Sequence, residues 1–199
     1  MVCFIFASNL NGQYSGIEIL ESVMDNAIKI DNAFYKFVID SETEGDLFPI
    51  NGDLYIKGES YFIDTDIIDQ IYDGSKLYTI IHENQEILVT SGSNTFFNFT
   101  PRQLFNFFKD DFDIIIENNK DGLFKMIATN KIQDDIVYKM IIDSDLLSIK
   151  QIDLLDRDNS TLSSFLTLSY NFNLSLPASL FKFDKEKFNN YILVKDWRF

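Results

Sequence analysis

Few side chains in this chain could perform acid–base or metal chemistry. It holds one histidine, His82, and one cysteine, Cys3. Zinc clusters, Cys–His nucleophile pairs and an internal disulfide are therefore excluded by counting. His82 falls near the end of a predicted strand and has no partner that the sequence identifies. We therefore expect a surface or turn-facing side chain there, not a general base.

Carboxylates are abundant, but their spacing indicates solvated turns. The close pairs fall at predicted strand ends: Asp64/Asp66, Asp110/Asp111, Asp134/Asp135 and Asp143/Asp145. Asp153, Asp156 and Asp158 resemble a calcium loop only superficially, because the glycine at its sixth position and its final glutamate are absent. The glycines are too scattered to cradle a phosphate. The sequence predicts no catalytic residue, no metal site and no cofactor, and a hydrolase that uses an acidic pair is the weakest alternative.

Charge and hydropathy limit the possible partners. The formal net charge is −14 and the isoelectric point is about 4.3. Such a surface repels nucleic acid backbones and anionic lipid headgroups. No segment approaches the ~20 apolar residues that span a bilayer. We expect a monomer that works in solution without nucleic acid.

The unusual feature of the composition is its aromatic content, with 20 Phe and 9 Tyr beside a single Trp. Asn, Ile, Lys and Asp are also abundant, a bias that is typical of an AT-rich genome. The composition therefore permits an apolar ligand cavity without demonstrating one.

The chain divides into a short leader and one domain. Residues 1–13 form an apolar run that ends in small and polar residues, which is typical of a secretory signal-peptide remnant, although the basic n-region is missing. The alternatives are a first strand, a disordered tail, or an N-terminus lipidated at Cys3, although no Leu-x-small-Cys run precedes this cysteine. Residues 14–199 contain no repeat, charge block or Pro/Gly-rich linker, which predicts a single domain.

Periodicity predicts the elements of this domain. Ser15 and Glu18 form a capping box ahead of a helix that extends to about Ile28. Thr100-Pro101 opens a second, strongly apolar helix. Elsewhere the apolar residues alternate, and short turns such as Asp73-Gly74 separate them, which requires antiparallel neighbours. The predicted fold is mainly β with a few helices (α+β), an unclosed and strongly curved antiparallel barrel whose open side the helices cover.

The order of these elements resembles the LolA-like family of periplasmic carriers of outer-membrane lipoproteins. The resemblance covers Ile17 to Phe199. Four motifs carry it: GDLYIKGESYF at 52–62, IYDGSKLYTII at 71–81, TPRQLFNFF at 100–108 and LPASLFKFDKEKF at 176–188. Each motif alone is weak, and their shared order is what makes the resemblance specific.

The resemblance implies a function and its partners. Family members bind the acyl chains of a lipoprotein that an inner-membrane ABC-type complex releases, and pass it to an outer-membrane acceptor. It implies the periplasm of a Gram-negative bacterium and no enzymatic activity. The residues expected to line the cavity or its lid are Phe37, Ile39, Leu54, Ile56, Tyr78, Ile80, Leu104, Phe107 and Phe108. The face chosen on each strand is a guess, since a one-residue slip exchanges lining for exterior.

One departure from the family concerns the lid. Better-known members carry an arginine on the strand that corresponds to Phe34 to Glu42, and this chain has none there. Its arginines are Arg102, Arg157 and Arg198. We therefore do not expect this chain to hold its lid through that arginine, as the better-known members do. The alternatives to a lipoprotein carrier are a carrier of another acylated lipid and a structural or partner-binding β domain with a packed interior.

Overall fold

The computed structural model of the protein describes residues 14–30, 32–41, 49–91, 101–156 and 158–195. The predicted signal-peptide remnant at 1–13 lies outside these residues, so it stays a prediction. Helix α1 spans Gly16–Lys29 and helix α2 spans Pro101–Asp111, while Ala178–Phe181 forms one 3-10 turn. The strands, numbered in chain order, are β1 Asn32–Ser41, β2 Ile50–Lys57, β3 Ser60–Thr65, β4 Ile68–Tyr72, β5 Lys76–Ile81, β6 Glu86–Ser91, β7 Phe112–Lys120, β8 Leu123–Asn130, β9 Val137–Asp143, β10 Ser148–Leu155, β11 Thr161–Phe172 and β12 Ile192–Lys195.

Helix α1 begins at the predicted capping box. The backbone N–H of Ser15 donates to Glu18 Oε2 at 2.7 Å, and the Glu18 N–H donates to Ser15 Oγ at 3.4 Å. The hydrogen bond from the Ser15 backbone lowers the pKa of Glu18, because it stabilises the ionised carboxylate. The predicted helix start is confirmed, and the helix ends at Lys29.

All twelve strands form one sheet in the order β12-β6-β5-β4-β3-β2-β1-β11-β10-β9-β8-β7. The meander β2 to β6 and the meander β7 to β10 are joined by the antiparallel pairing of β1 with β11. The two edge strands, β7 and β12, are not paired with each other in the described part of the chain. The predicted unclosed, mainly β architecture with helices is confirmed.

The prediction of a wholly antiparallel sheet is wrong at one edge. Strand β12 runs parallel to β6, with Ile192 opposite Glu86 and Lys195 opposite Val89. A parallel neighbour requires a long crossover connection, and the chain between β6 and β12 provides it. Strand β12 could not be predicted, because four residues are too few to show a period.

The register defines two faces of the sheet. One row of paired residues runs from β1 through β11 into the second meander, through Ile39, Phe165, Ile152, Met140 and Met126. We call this side the inner face. Its apolar residues form two clusters, one of which includes residues of both helices.

Helix α1 lies across the inner face. At its start, Gly16 abuts Ile114 of β7 so closely that a Cβ atom there would lie 2.8 Å from the Ile114 carbonyl oxygen. Its middle buries Ile19 and Val23 against the β7 to β10 half of the sheet. At its end, the Asn26 side chain donates to the Leu146 carbonyl oxygen at 2.8 Å. The helix therefore covers the middle of the inner face and one of its ends.

The outer face is covered on the β3 to β6 side by residues 174–191, which we call the C-terminal segment. Phe181 and Phe188 are buried there against Phe62, Ile71 and Ile80. The Phe183 ring stacks on the Tyr78 ring at 4.6 Å. The C-terminal segment thus forms a second layer opposite the helices.

Candidate functional site

The predicted lining residues do not form one set. They divide among three apolar clusters: Phe37, Ile39, Leu54 and Ile56 lie on the inner face at β1 and β2, Phe107 and Phe108 lie where α2 packs, and Tyr78 and Ile80 lie on the outer face. The Leu104 side chain lies outside the described residues. The group on β1 and β2 is therefore the largest part of the predicted lining that the fold brings together.

The face predicted for Tyr78 and Ile80 is wrong. Tyr78 pairs with Ile71 and Ile80 pairs with Asp69, on the side that the C-terminal segment covers. Leu77, which is 3% exposed, is the inward residue instead. Hairpin loops with an even number of residues reverse the inward parity from strand to strand. The cross-strand pairs of β2 to β5 join even-numbered to odd-numbered residues, as in Leu54 with Ile63 and Tyr72 with Leu77. Counting from Leu54 by this rule would have placed Leu77 inward.

A small apolar cavity lies on the inner face between β1 and β4, and we call it the β1–β4 cavity. Its wall consists of Phe37, Ile39, Ile50, Ile63, Thr65, Ile67, Ile68 and Gln70, and its volume is about 40 Å³. None of the described side chains of α1 and α2 belongs to this wall. The described wall of the cavity is therefore formed by β1 to β4 and by the turn that joins β3 to β4.

A second cavity, of about 20 Å³, lies beneath the end of α1. Val23 and Ala27 line it from the helix, and Tyr35 and Leu54 line it from the sheet. Burial raises the pKa of Tyr35 to about 12, and the nearby Tyr170 adds to the effect. The Tyr35 phenol therefore stays uncharged at neutral pH and does not place a negative charge in the cavity wall.

A group of charged side chains occupies the outer face beside the C-terminal segment. His82 Nε2 lies 3.2 Å from Asp69 Oδ1, and His82 Nδ1 lies 3.1 Å from the Tyr191 hydroxyl oxygen. The histidine is half-buried and links β5 to the C-terminal segment, so it is more enclosed than predicted. The contact with Tyr191 could not be predicted from a local pattern, because 109 residues separate it from His82.

Asp64 belongs to the same outer-face group. Partial burial raises the pKa of this carboxyl, and the neighbouring carboxylates of Asp69 and Asp53 raise it further, against the opposing effect of Lys187 and His82. Asp53 and Asp64 are direct cross-strand partners, an arrangement in which like charges repel.

Asp64→Asn is expected to raise the melting temperature at pH 7. The raised pKa means that ionised Asp64 opposes folding above that pKa. The advantage of the variant should shrink as the pH falls through the raised pKa and vanish below about pH 4, the unfolded value. Thermal unfolding across this range measures the effect. Asp66→Asn, two residues away on an exposed turn, is the control, and an equal gain in both variants would contradict this origin.

Two further features bear on function. Within the described ranges, no three His, Cys, Asp or Glu side chains converge in a way that could hold a metal ion. Among the helices that can be described, none is long and apolar enough to cross a membrane.

The chain is similar in fold to several proteins of known structure. No protein-family model and no curated protein matches the chain by sequence. An uncharacterised conserved protein from Thermus thermophilus is 10% identical, with a TM-score of 0.64 over 90% of this chain and 98% of that one. A LolA superfamily protein from Nitrosomonas europaea is 9% identical, with a TM-score of 0.37 over 85% of this chain and 98% of that one. In fold, the chain resembles the Thermus thermophilus protein along nearly its whole length.

A third structural match comes from a complex. A chain of the Pseudomonas aeruginosa MucA/MucB complex is 12% identical, with a TM-score of 0.51. The match covers 86% of this chain but 62% of that one. The TM-scores of 0.64 and 0.51 show a similar fold. At identities this low, ligands and partners have to be argued from the residues of this chain.

Proposed function

We propose that this protein is a non-enzymatic periplasmic carrier of a Gram-negative bacterium, which binds the acyl chains of lipoproteins on its inner face and ferries them from the inner to the outer membrane. The observation that carries the proposal is the β1–β4 cavity. Its wall is apolar apart from Thr65 and Gln70, and Ile67 at its rim remains 41% exposed. Exposed isoleucine beside an apolar cavity favours a ligand that is itself apolar.

Burial of methylene groups would supply the binding energy. Each CH₂ removed from water contributes about 0.8 kcal/mol. A cavity of about 40 Å³ has room for a few water molecules only. An acyl chain must therefore extend over the half-buried Ile39 and Ile50 or displace α1, whose end covers the adjoining surface.

Release would depend on the acceptor. A carrier that only buries acyl chains transfers them to a site that binds them at least as well. The resemblance of the sequence motifs to the LolA-like family implies an inner-membrane ABC-type complex as donor and an outer-membrane protein as acceptor. The carrier would act as a monomer.

A second candidate is a partner-binding domain with a packed interior. The small volumes of the two described cavities favour it, and so does the likeness to a chain of the MucA/MucB complex. A carrier of another acylated lipid would use the same cavity as the lipoprotein carrier. Native mass spectrometry of protein purified from its own host separates these candidates, since a carrier retains acyl cargo and a packed domain does not.

Ile67→Glu is expected to weaken acyl binding about tenfold, because a carboxylate at the rim would have to lose water beside the incoming chain. Displacement of a fluorescent fatty acid from the purified protein measures the affinity. The rim position is already partly exposed, so the fold should tolerate the change.

The matched control for this variant is Ile132→Glu. Ile132 is 87% exposed and lies between β8 and β9, outside the cavity wall. Equal loss of binding in both variants would point to a general charge effect. A wild-type protein that binds no fatty acid at all would sink the carrier proposal and favour the packed domain.

A further inference from the structure

One polar side chain stands out in the β1–β4 cavity. Gln70 lies on β4, is 2% exposed, and belongs to the wall of an otherwise apolar space. Its Nε2 lies 3.5 Å from Thr79 Oγ1, the residue opposite it on β5. Among the described residues, no donor reaches its Oε1 atom, which is closed off from solvent. The wall therefore contains a buried amide oxygen that lacks a hydrogen bond.

The other polar residue of the wall is fully engaged. The Thr65 hydroxyl donates to the Ile68 carbonyl oxygen at 2.6 Å and accepts from the Ile68 N–H at 2.9 Å. It therefore has no need of a ligand. The unsatisfied hydrogen-bonding capacity of the cavity wall is concentrated at Gln70.

An unsatisfied buried amide destabilises a fold, and native structures rarely keep one without a reason. The neighbouring wall positions on the same face, such as Ile63, show that an aliphatic side chain fits this surface. A leucine at position 70 would remove the cost. The retained carboxamide is explained if a hydrogen-bond donor reaches Oε1 in the bound state.

We propose that Gln70 Oε1 accepts a hydrogen bond from a secondary-amide N–H of the ligand, so that the β1–β4 cavity selects acyl groups attached through an amide over those attached through an ester. This inference rests on the proposed carrier function and narrows its ligand class. An ester oxygen at the same place has no proton to donate and would leave Oε1 unpaired.

The test uses two probes that differ by one group, N-methyldecanamide and methyl decanoate. Each competes with a fluorescent fatty acid for the purified wild-type protein and for Gln70→Leu. The ratio of the ester dissociation constant to the amide dissociation constant is expected to fall about fivefold in the variant. Comparing ratios removes the difference in hydrophobicity between the two probes.

Ile63→Val is the matched control, because it changes the volume of the same wall without changing its polarity. This variant should weaken both probes alike and keep the wild-type ratio. Gln70→Leu should also melt at or above the wild-type temperature, whereas a clear loss of stability would mean that the amide is a structural group.

The outcomes separate the inference from the function on which it rests. If both probes bind and their ratio is unchanged in Gln70→Leu, the role of Gln70 is overturned and the carrier proposal stands. If neither probe nor the fatty acid binds the wild-type protein, both are overturned.

Discussion

Gly52→Ala is expected to destabilise the protein by about 3 kcal/mol, although alanine is otherwise acceptable in a strand. Gly52 faces Phe37 across the β1–β2 pair, and the Phe37 ring lies directly over its Cα. A Cβ atom would overlap the ring, with two ring carbons at 2.8 Å. Phe37 is 0% exposed and packs on Phe165, so its ring can avoid the new Cβ atom only by moving toward the adjoining β1–β4 cavity. Urea unfolding of the variant measures the loss.

A double-mutant cycle identifies the cause of this loss. Phe37→Leu shortens the side chain above position 52 and costs stability on its own by leaving a cavity. In the Gly52→Ala background, the same change should recover part of the loss, because the overlap disappears. Strictly additive costs would contradict a direct clash between the two residues.

Phe108→Ala is expected to cost about 4 kcal/mol, since it deletes a fully buried aromatic ring. Phe108 is 1% exposed and holds α2 on the sheet. Its ring centroid lies 4.9 Å from that of Phe107, 5.0 Å from that of Phe112 and 5.3 Å from that of Tyr138. Chemical denaturation measures the cost, and near-UV circular dichroism reports the loss of the aromatic cluster.

Asn106→Ala provides the control for α2. This residue is exposed on the same helix and belongs to none of the apolar clusters. Its replacement should change stability by no more than about 0.5 kcal/mol. A Phe108 variant that unfolds like the wild type would mean that α2 contributes little to the packing of the inner face.

Much of the architecture could be predicted because it depends on local signals. The Ser15–Glu18 capping box acts within one helical turn, and it fixed the start of α1. The hairpins depend on turns of a few residues and on alternation along each strand. These signals are complete within short stretches of sequence.

The candidate site depended on contacts that no local pattern records. Tyr78 and Leu77 are both apolar neighbours on one strand, so alternation alone could not choose between them. The approach of Phe37 to Gly52 and that of His82 to Tyr191 arise from register and from chain crossing. Gln70 is unremarkable in sequence, and its importance follows only from its burial in an apolar wall.

The junction of β1 with β11 has a consequence for the order of folding. It pairs Ala33 with Phe172, residues that are far apart in the chain, whereas the flanking meanders pair near neighbours. Closing so long a loop costs chain entropy before the contacts between the two strands can stabilise it. The two meanders are therefore expected to form early and separately, and the sheet becomes continuous only late. Until that moment, each half presents its apolar face to the solvent, which is the interval when aggregation competes with folding.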